Sequence, residues 1–300
     1  MTASIKCPLC HSSSSVFWIY RVSKQNYFPK LSFAYFLCKN CQVAFLYPRL
    51  SKKDIYQIYK GKYYSFLHKH GNKLINFILG WDLSPYDEFT SRVVKEGRKL
   101  LDVGCGYGDF LDKMQKRGWN VYGIEPFLDA VKIARQRIGE ERIFKGELPQ
   151  VKFKNNSFDV VTLWGVLEHL PQPSIYISRI QHLLRKRGYL FMEIPNLDSL
   201  LLSIFRNNYN WLSYNEHLFY YSKMGVKKFL HDRGFSNVTV YSPMKINSNF
   251  AINMANLLSN RYFLNWEFVM LVFLPLSFGV SFFSSLVGKG EVIRIIARKV

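Results

Sequence analysis

Four cysteines and one glycine-rich turn carry the most specific chemistry in this sequence. Cys7-Pro-Leu-Cys10 and Cys38-Lys-Asn-Cys41 are two C-x-x-C pairs. Each pair presents two thiolates on one side of a tight loop, and four thiolates complete a tetrahedral Zn2+ shell. A closed shell leaves no position for substrate, so the expected role is structural. Neither pair opens a helix after a strand, which disfavours redox chemistry. The second group is Asp102, Gly104, Gly106, Gly108 and Glu125, carried by LeuLeuAspValGlyCysGlyTyrGlyAspPhe (100–110) and GlyIleGluPro (123–126). Glycines in such a turn let the backbone approach a ligand with no Cβ in the way. A dinucleotide or S-adenosylmethionine (SAM) could sit there. Asp109 stands where the third glycine of G-x-G-x-x-G would be. Asp102 is poorly placed beside a pyrophosphate and suits the cationic amino acid end of SAM. Glu125 is expected to bind ribose hydroxyls in either case. SAM is therefore the expected cofactor.

The elements that would position these groups follow from hydrophobic patterning. Residues 99–103, 120–124, 142–144, 158–164 and 188–194 read as short apolar strands. Helices over 109–117 and 128–135, and one ending at ArgLysArgGly (185–188), alternate with them. That alternation predicts a doubly wound α/β fold, a mostly parallel sheet covered on both faces. Ser222 is expected to cap a helix through His231, closed by Gly234. Residues 238–241 and 291–297 supply two last strands, seven in all. The expected organisation is a zinc-ribbon module at 1–50, a helical connector at 51–97 and a SAM-binding domain at 98–300 with an apolar helical insert at about 245–288.

Composition narrows the partners. The 300 residues carry a net charge of +20 and are 48% hydrophobic, which excludes a disordered chain. A basic surface favours anionic partners: nucleic acid, phosphorylated small molecules or an anionic membrane face. No apolar stretch precedes Cys7, so no secretory signal is expected, and the paired cysteines point to metal rather than disulfides.

AspValGlyCysGlyTyrGly, GlyIleGluPro and AsnSerPheAspValValThrLeuTrpGlyValLeuGluHisLeu (156–170) together resemble the successive motifs of class I SAM-dependent methyltransferases. The resemblance implies the Rossmann-like methyltransferase fold. It places Glu125 and Pro126 on the ribose side, Glu147 and Leu148 beside the adenine, and Trp164 and Gly165 along the cofactor. The N-terminal half, CysProLeuCys, CysLysAsnCys and PheLeuTyrProArg, resembles the zinc-bearing subgroup that includes nucleotide-sugar C-methyltransferases. TyrAsnGluHis (214–217) resembles that subgroup's active-site Tyr-x-Glu-His, although those enzymes commonly carry a further C-terminal α/β domain that this sequence does not show.

Methyl transfer to a hydroxyl, or to a carbon beside a carbonyl, requires a base. His217 is the first candidate, with Glu216 and Tyr214 as partners; His169 is the second. Tyr63 and Tyr64 are candidates to close over the cofactor. The expected acceptor is a sugar or cell-envelope glycan intermediate, nucleotide- or lipid-linked. A nucleic acid acceptor is disfavoured because no Asn-Pro-Pro-aromatic motif is found; a non-catalytic SAM-fold protein is the other alternative. Phe268–Val287 is long enough to span a bilayer, but it lies between two strands expected in one sheet, and Pro275 favours a break or kink. Contact with an anionic membrane surface is preferred over packing against protein, giving a cytoplasmic chain peripheral on the inner face of the membrane.

Overall fold

A computed structural model describes residues 5–22, 32–51, 53–55, 81–82, 86, 90, 98–212 and 216–300. The strands, in chain order, are β1 (Ser15–Val22), β2 (Ser32–Cys38), β3 (Val43–Tyr47), β4 (Trp81–Asp82), β5 (Lys99–Val103), β6 (Asn120–Glu125) and β7 (Ile143–Lys145). They continue with β8 (Phe158–Trp164), β9 (Leu184–Pro195), β10 (Phe219–Tyr221), β11 (Phe235–Tyr241), β12 (Lys245–Ile246) and β13 (Val292–Lys299). The α-helices are α1 (Asp109–Lys116), α2 (Leu128–Ile138), α3 (Pro173–Leu183), α4 (Leu200–Phe205), α5 (Lys223–His231), α6 (Asn249–Tyr262) and α7 (Trp266–Leu286). The chain forms two compact units.

One unit comprises Met1–Leu83, Pro195–Met224 and Tyr241–Ile293. Its sheet has the order β1-β2-β3-β10, with antiparallel pairing throughout. The aromatic composition of these strands explains the sheet: Phe33, Tyr35, Phe45, Phe219, Tyr220 and Tyr221 are all buried. β12 pairs with β4, so Trp81 and Asp82 form a strand in the stretch expected as a helical connector. The rest of that connector, Tyr63 and Tyr64 included, lies almost entirely outside the described residues. Helix α7 runs unbroken through Pro275. The missing proline N–H removes one internal bond, and the packing of α7 on α6, around Ala251, Ala255, Val269 and Met270, carries the helix across it.

The other unit comprises Ser84–Ile194, Gly225–Val240 and Arg294–Val300. It holds the seven-stranded sheet, order β11-β13-β9-β8-β5-β6-β7. β5–β6, β6–β7, β5–β8 and β8–β9 are parallel. β5 and β8 read as apolar runs because both faces are covered: Leu100, Leu101, Val160, Val161 and Leu163 are fully buried. The order changes direction at β5, between β6 and β8, and that switch sets a crevice beyond the strands' carboxyl ends. The expected helix end at ArgLysArgGly falls inside β9 instead. Arg187 adopts a left-handed conformation (φ 62) and the pairing register with β8 shifts between Phe158 and Val160, so the strand begins irregularly at Leu184.

Candidate active site and cysteine centre

The cofactor-side residues belong to the unit with the parallel sheet. β5 delivers Asp102 and then turns on Gly104, Gly106 and Gly108, all left-handed (φ 75, 54 and 80). Gly108 N-caps α1, whose first turn carries Asp109 and Asp112. The turn is fastened to β6 by Gly104 N–H and Cys105 N–H, which both donate to the Ile124 carbonyl. A Cβ on Gly104 would lie 2.7 Å from Val166 Cγ2, so this glycine is needed for close packing. A Cβ on Gly106 would meet nothing within 4 Å; the backbone here borders open space. That opening is where a ligand can lie against the chain, and it fits the group that the motif implies.

Glu125 is buried at the end of β6, its carboxylate held by two backbone donors: Gly106 N–H to Oε2 and Phe127 N–H to Oε1, both at 3.0 Å. Pro126, between these donors, is half-buried. Asp102 is also buried and accepts a 2.7 Å hydrogen bond from the Thr162 hydroxyl on β8. Burial, reinforced by Glu125, pushes Asp102 up to about 7 although the Thr162 bond opposes it. Glu147 and the fully buried Leu148 follow β7; the Tyr176 hydroxyl donates to Glu147 Oε2 (3.1 Å).

Trp164 and Gly165 close β8. The Trp164 ring stacks on Tyr86 with centroids 4.2 Å apart and planes 7° apart, and Phe110 meets both rings edge-on. Tyr86 donates to Glu193 Oε1 (2.7 Å), while Arg294 Nε donates to Glu193 Oε2 (2.7 Å) and its guanidinium lies 4.8 Å from the Tyr86 ring centre. Glu193 and Arg294 are both buried, a charge pair that holds an aromatic wall in place. The sequence carried a signal for this pair: one charge in each of two apolar strands, MetGluIle and ValIleArgIleIle. Nothing local announced Tyr86. Beyond β8, His169 Nε2 lies 3.7 Å from Glu168 Oε1. Glu168 is buried, its Oε2 has no hydrogen-bond partner among the described residues, and burial pushes it up to about 8.

His217 belongs to the other unit, immediately before β10. Its Nδ1 lies 2.8 Å from the Tyr220 hydroxyl. That hydroxyl donates its proton to the Trp211 carbonyl (2.7 Å), so toward His217 it acts as acceptor. Nδ1 therefore carries a hydrogen, and in the neutral ring the lone pair is on Nε2. The Tyr35 hydroxyl donates to the His217 carbonyl (2.7 Å) and fixes the backbone. The partners expected for His217 were Tyr214 and Glu216. Tyr214 lies outside the described residues, and Glu216 is half-buried beside His217 in the chain. Tyr220, three residues on, and Tyr35 are among the groups the structure brings to it.

In the same unit, the Sγ atoms of Cys7, Cys10, Cys38 and Cys41 all lie within 4.8 Å of one another. Cys7–Cys41 and Cys10–Cys38 are 3.6 and 3.5 Å apart, too far for a disulfide. Zn–S bonds of about 2.3 Å give a tetrahedral edge of about 3.8 Å, close to these spacings. The two knuckles share one geometry: His11 N–H donates to the Cys7 carbonyl and Gln42 N–H to the Cys38 carbonyl, both at 2.9 Å, with His11 and Gln42 left-handed (φ 59 and 54). A hydrogen bond from Cys41 pulls the Cys7 thiol down to about 5. Burial pushes Cys38 up, and the Cys7 hydrogen bond pushes Cys41 up. A bound cation would favour the thiolate form at such a cluster. The donor set fits a soft tetrahedral ion.

The profile of a methyltransferase-domain family (Methyltransf_23) matches residues 79–240. Curated relatives include ubiquinone biosynthesis O-methyltransferases from Acinetobacter baylyi, 31% identical over 106 residues (33% of this chain, 44% of the relative), and from Actinobacillus pleuropneumoniae, 33% identical over 109 residues (33% and 47%). The chain thus matches less than half the length of these relatives. Among solved structures, a SAM-dependent methyltransferase from Thermotoga maritima, a possible histamine N-methyltransferase, superposes with a TM-score of 0.53 at 18% identity (79% of this chain, 97% of that one). One from Archaeoglobus fulgidus gives 0.52 at 18% identity (79% and 100%). These two likenesses concern the fold.

Proposed function

The chain belongs to the class I SAM-dependent methyltransferases, and from that premise we propose that it moves the SAM methyl group to carbon or oxygen of a small-molecule acceptor, a sugar or cell-envelope glycan intermediate. The observation that carries the reading is the His217–Tyr220–Trp211 chain of hydrogen bonds, which sets the imidazole tautomer so that the neutral ring has its lone pair on Nε2. Nitrogen acceptors commonly bring their own lone pair; hydroxyls and carbon acids need a proton removed. SAM supplies the electrophilic methyl group. Gly106 and its neighbours offer it backbone, Glu125 a carboxylate held in orientation by two N–H groups, and Trp164 an aromatic wall braced by Tyr86 and Glu193. Alignment is the chain's principal contribution, because in-line displacement depends on it.

The sugar class is supported by the clustered cysteines together with the Tyr-x-Glu-His stretch that precedes β10. An oxygen acceptor is supported by the names of the curated relatives, which are O-methyltransferases. The cysteine centre is proposed to hold one structural Zn2+.

The test is methyl incorporation from labelled SAM against nucleotide-sugars, polyprenyl-linked glycans and, as a contrast, nucleic acid. His217→Ala should keep SAM affinity in calorimetry and lose about a hundredfold or more in turnover, with the acidic limb of the pH profile removed. Unchanged turnover in that variant removes His217 from the mechanism and makes His169→Ala the next experiment. Incorporation into nucleic acid alone overturns the acceptor class.

A further inference from the structure

Helix α7 is inverted. It buries Ser277, Ser281, Ser284 and Ser285 and turns Phe268, Leu271, Leu276, Phe282 and Phe283 outward. Exposed positions fall at 268, 271, 272, 275, 276, 279, 282, 283 and 286, recurring every three or four residues, so they form one stripe along the whole helix. The inner serines are satisfied at home: Ser277 donates to the Asn247 carbonyl (3.0 Å), Ser281 to the Lys245 carbonyl (2.7 Å) and Ser284 to the Ser281 carbonyl (2.9 Å). The stripe therefore faces away from the unit without a polar group to offer. Between Arg261 and Lys289 the only charge is Glu267. The α6–α7 corner adds a second anomaly. Phe263 is 95% exposed and left-handed (φ 56), at a helix C-cap where glycine or asparagine is the usual residue. Tyr262 and Trp266, both exposed, flank it.

We propose that the α6–α7 hairpin is a monotopic membrane anchor, with the outer face of α7 laid into the headgroup–acyl boundary of an anionic phospholipid bilayer. Three observations select lipid over another protein surface. A protein interface carries roughly one hydrogen bond per 100–200 Å², and the side chains of this stripe can make none. Two copies of a chain with net charge +20 repel, whereas anionic headgroups attract it. The exposed Tyr262 and Trp266 are of the type that settles at headgroup depth. The helix is long enough to cross, about 31 Å for 21 residues. However, β11 and β13, which flank β12 and the hairpin in the chain, are neighbours in one sheet, so the chain returns to the side it left. The inference is independent of the acceptor and of methyl transfer.

The experiment is flotation of the full chain with phosphatidylcholine vesicles and with mixed phosphatidylcholine–phosphatidylglycerol vesicles. Wild type should float with the mixed vesicles, less with neutral ones, and less again as salt rises. Leu271→Glu with Leu276→Glu should reduce the bound fraction at least tenfold while SAM affinity and the melting curve are kept. Should that pair fail to fold, Phe263→Ser at the exposed corner makes the same test. The proposal is overturned if wild type floats with neither vesicle or if the folded variants float as well as wild type. It is equally overturned if sedimentation shows a wild-type dimer that the variants dissolve without any change in flotation.

Discussion

The cysteine knuckles and the glycine turn use the same backbone conformation for opposite ends. His11 and Gln42 are left-handed at φ 59 and 54, and Gly104, Gly106 and Gly108 are left-handed at φ 75, 54 and 80. In the turn the side chains are absent for two reasons: at Gly104 and Gly108 a Cβ would crowd Val166 and Ile138, and at Gly106 the space beyond is open to a ligand. In the knuckles ordinary side chains stay, exposed, at a conformational cost of about 1–2 kcal/mol each, which the proposed metal ligation by the four thiols would offset. The difference teaches that a left-handed residue marks a constraint, and that the residue type tells whether space or ligation is the constraint.

The largest effect expected is on the ligation side. Structural zinc contributes about 10–16 kcal/mol of apparent binding free energy in small modules. Chelation, or Cys41→Ser, should therefore unfold the β1-β2-β3-β10 sheet, which buries Cys38 and Cys41 with Phe33, Tyr35 and Phe45. Metal analysis should find one zinc per chain before chelation, and near-ultraviolet circular dichroism should lose aromatic signal after it. A protein that melts identically with and without metal breaks the comparison.

On the other side the next effect is electrostatic. Asp102 is raised from 3.8 to about 7 by burial, so the folded state binds a proton that the unfolded state has already released between those values. Its contribution to stability is thus full below about pH 4 and is lost as pH rises through about 7, amounting to roughly 4 kcal/mol. Asp102→Asn should remove this slope: denaturant midpoints at pH 5 and pH 8 should converge relative to wild type. Equal slopes in both proteins would place the proton elsewhere.

Two glycine substitutions separate space from packing. Gly106→Ala points its methyl group into open space, so SAM affinity should fall about tenfold or more, with a loss of only about 1 kcal/mol in stability. Gly108→Ala meets Ile138 Cγ1 at 3.3 Å and Ala134 Cα at 3.4 Å, so the melting temperature should fall further and affinity less. Calorimetry and thermal melts on the two variants sort them. Equal losses of affinity would show that the turn acts as one rigid piece.

How much of this was legible in the sequence depended on range. The seven strands, the glycine turn and the cysteine pairs announce themselves locally, through apolar runs, spacing and residue type. His217 is legible as a candidate base, but its bond to Tyr220 is not: Tyr220 is one of nineteen tyrosines, and only its bond to the Trp211 carbonyl shows which way its proton points. Asp102 is legible as an acid at the glycine turn, but its bond from Thr162, sixty residues away in sequence, is not. Glu193 and Arg294 are a hundred and one residues apart. Of the break or kink expected at Pro275, the break does not occur, because packing on α6 carries the helix across the missing N–H.

The smallest effect is the most direct test of the opening contrast. If the knuckle side chains at 11 and 42 are merely tolerated, then His11→Gly or Gln42→Gly relieves the left-handed strain. Each gain is offset in part by the greater freedom of glycine in the unfolded chain. The net should be about 0.5–1 kcal/mol per site. It should appear as a rise of a few degrees at most in the melting temperature and as a two- to fivefold shift in a chelator competition, about RT ln of that ratio. His11 and Gln42 both follow the second cysteine of their pair and make the same N–H contact to the first, so the two gains should be similar. A loss at either site would mean that its side chain, and not only its backbone, supports the knuckle, and the contrast with the bare glycine turn would narrow there.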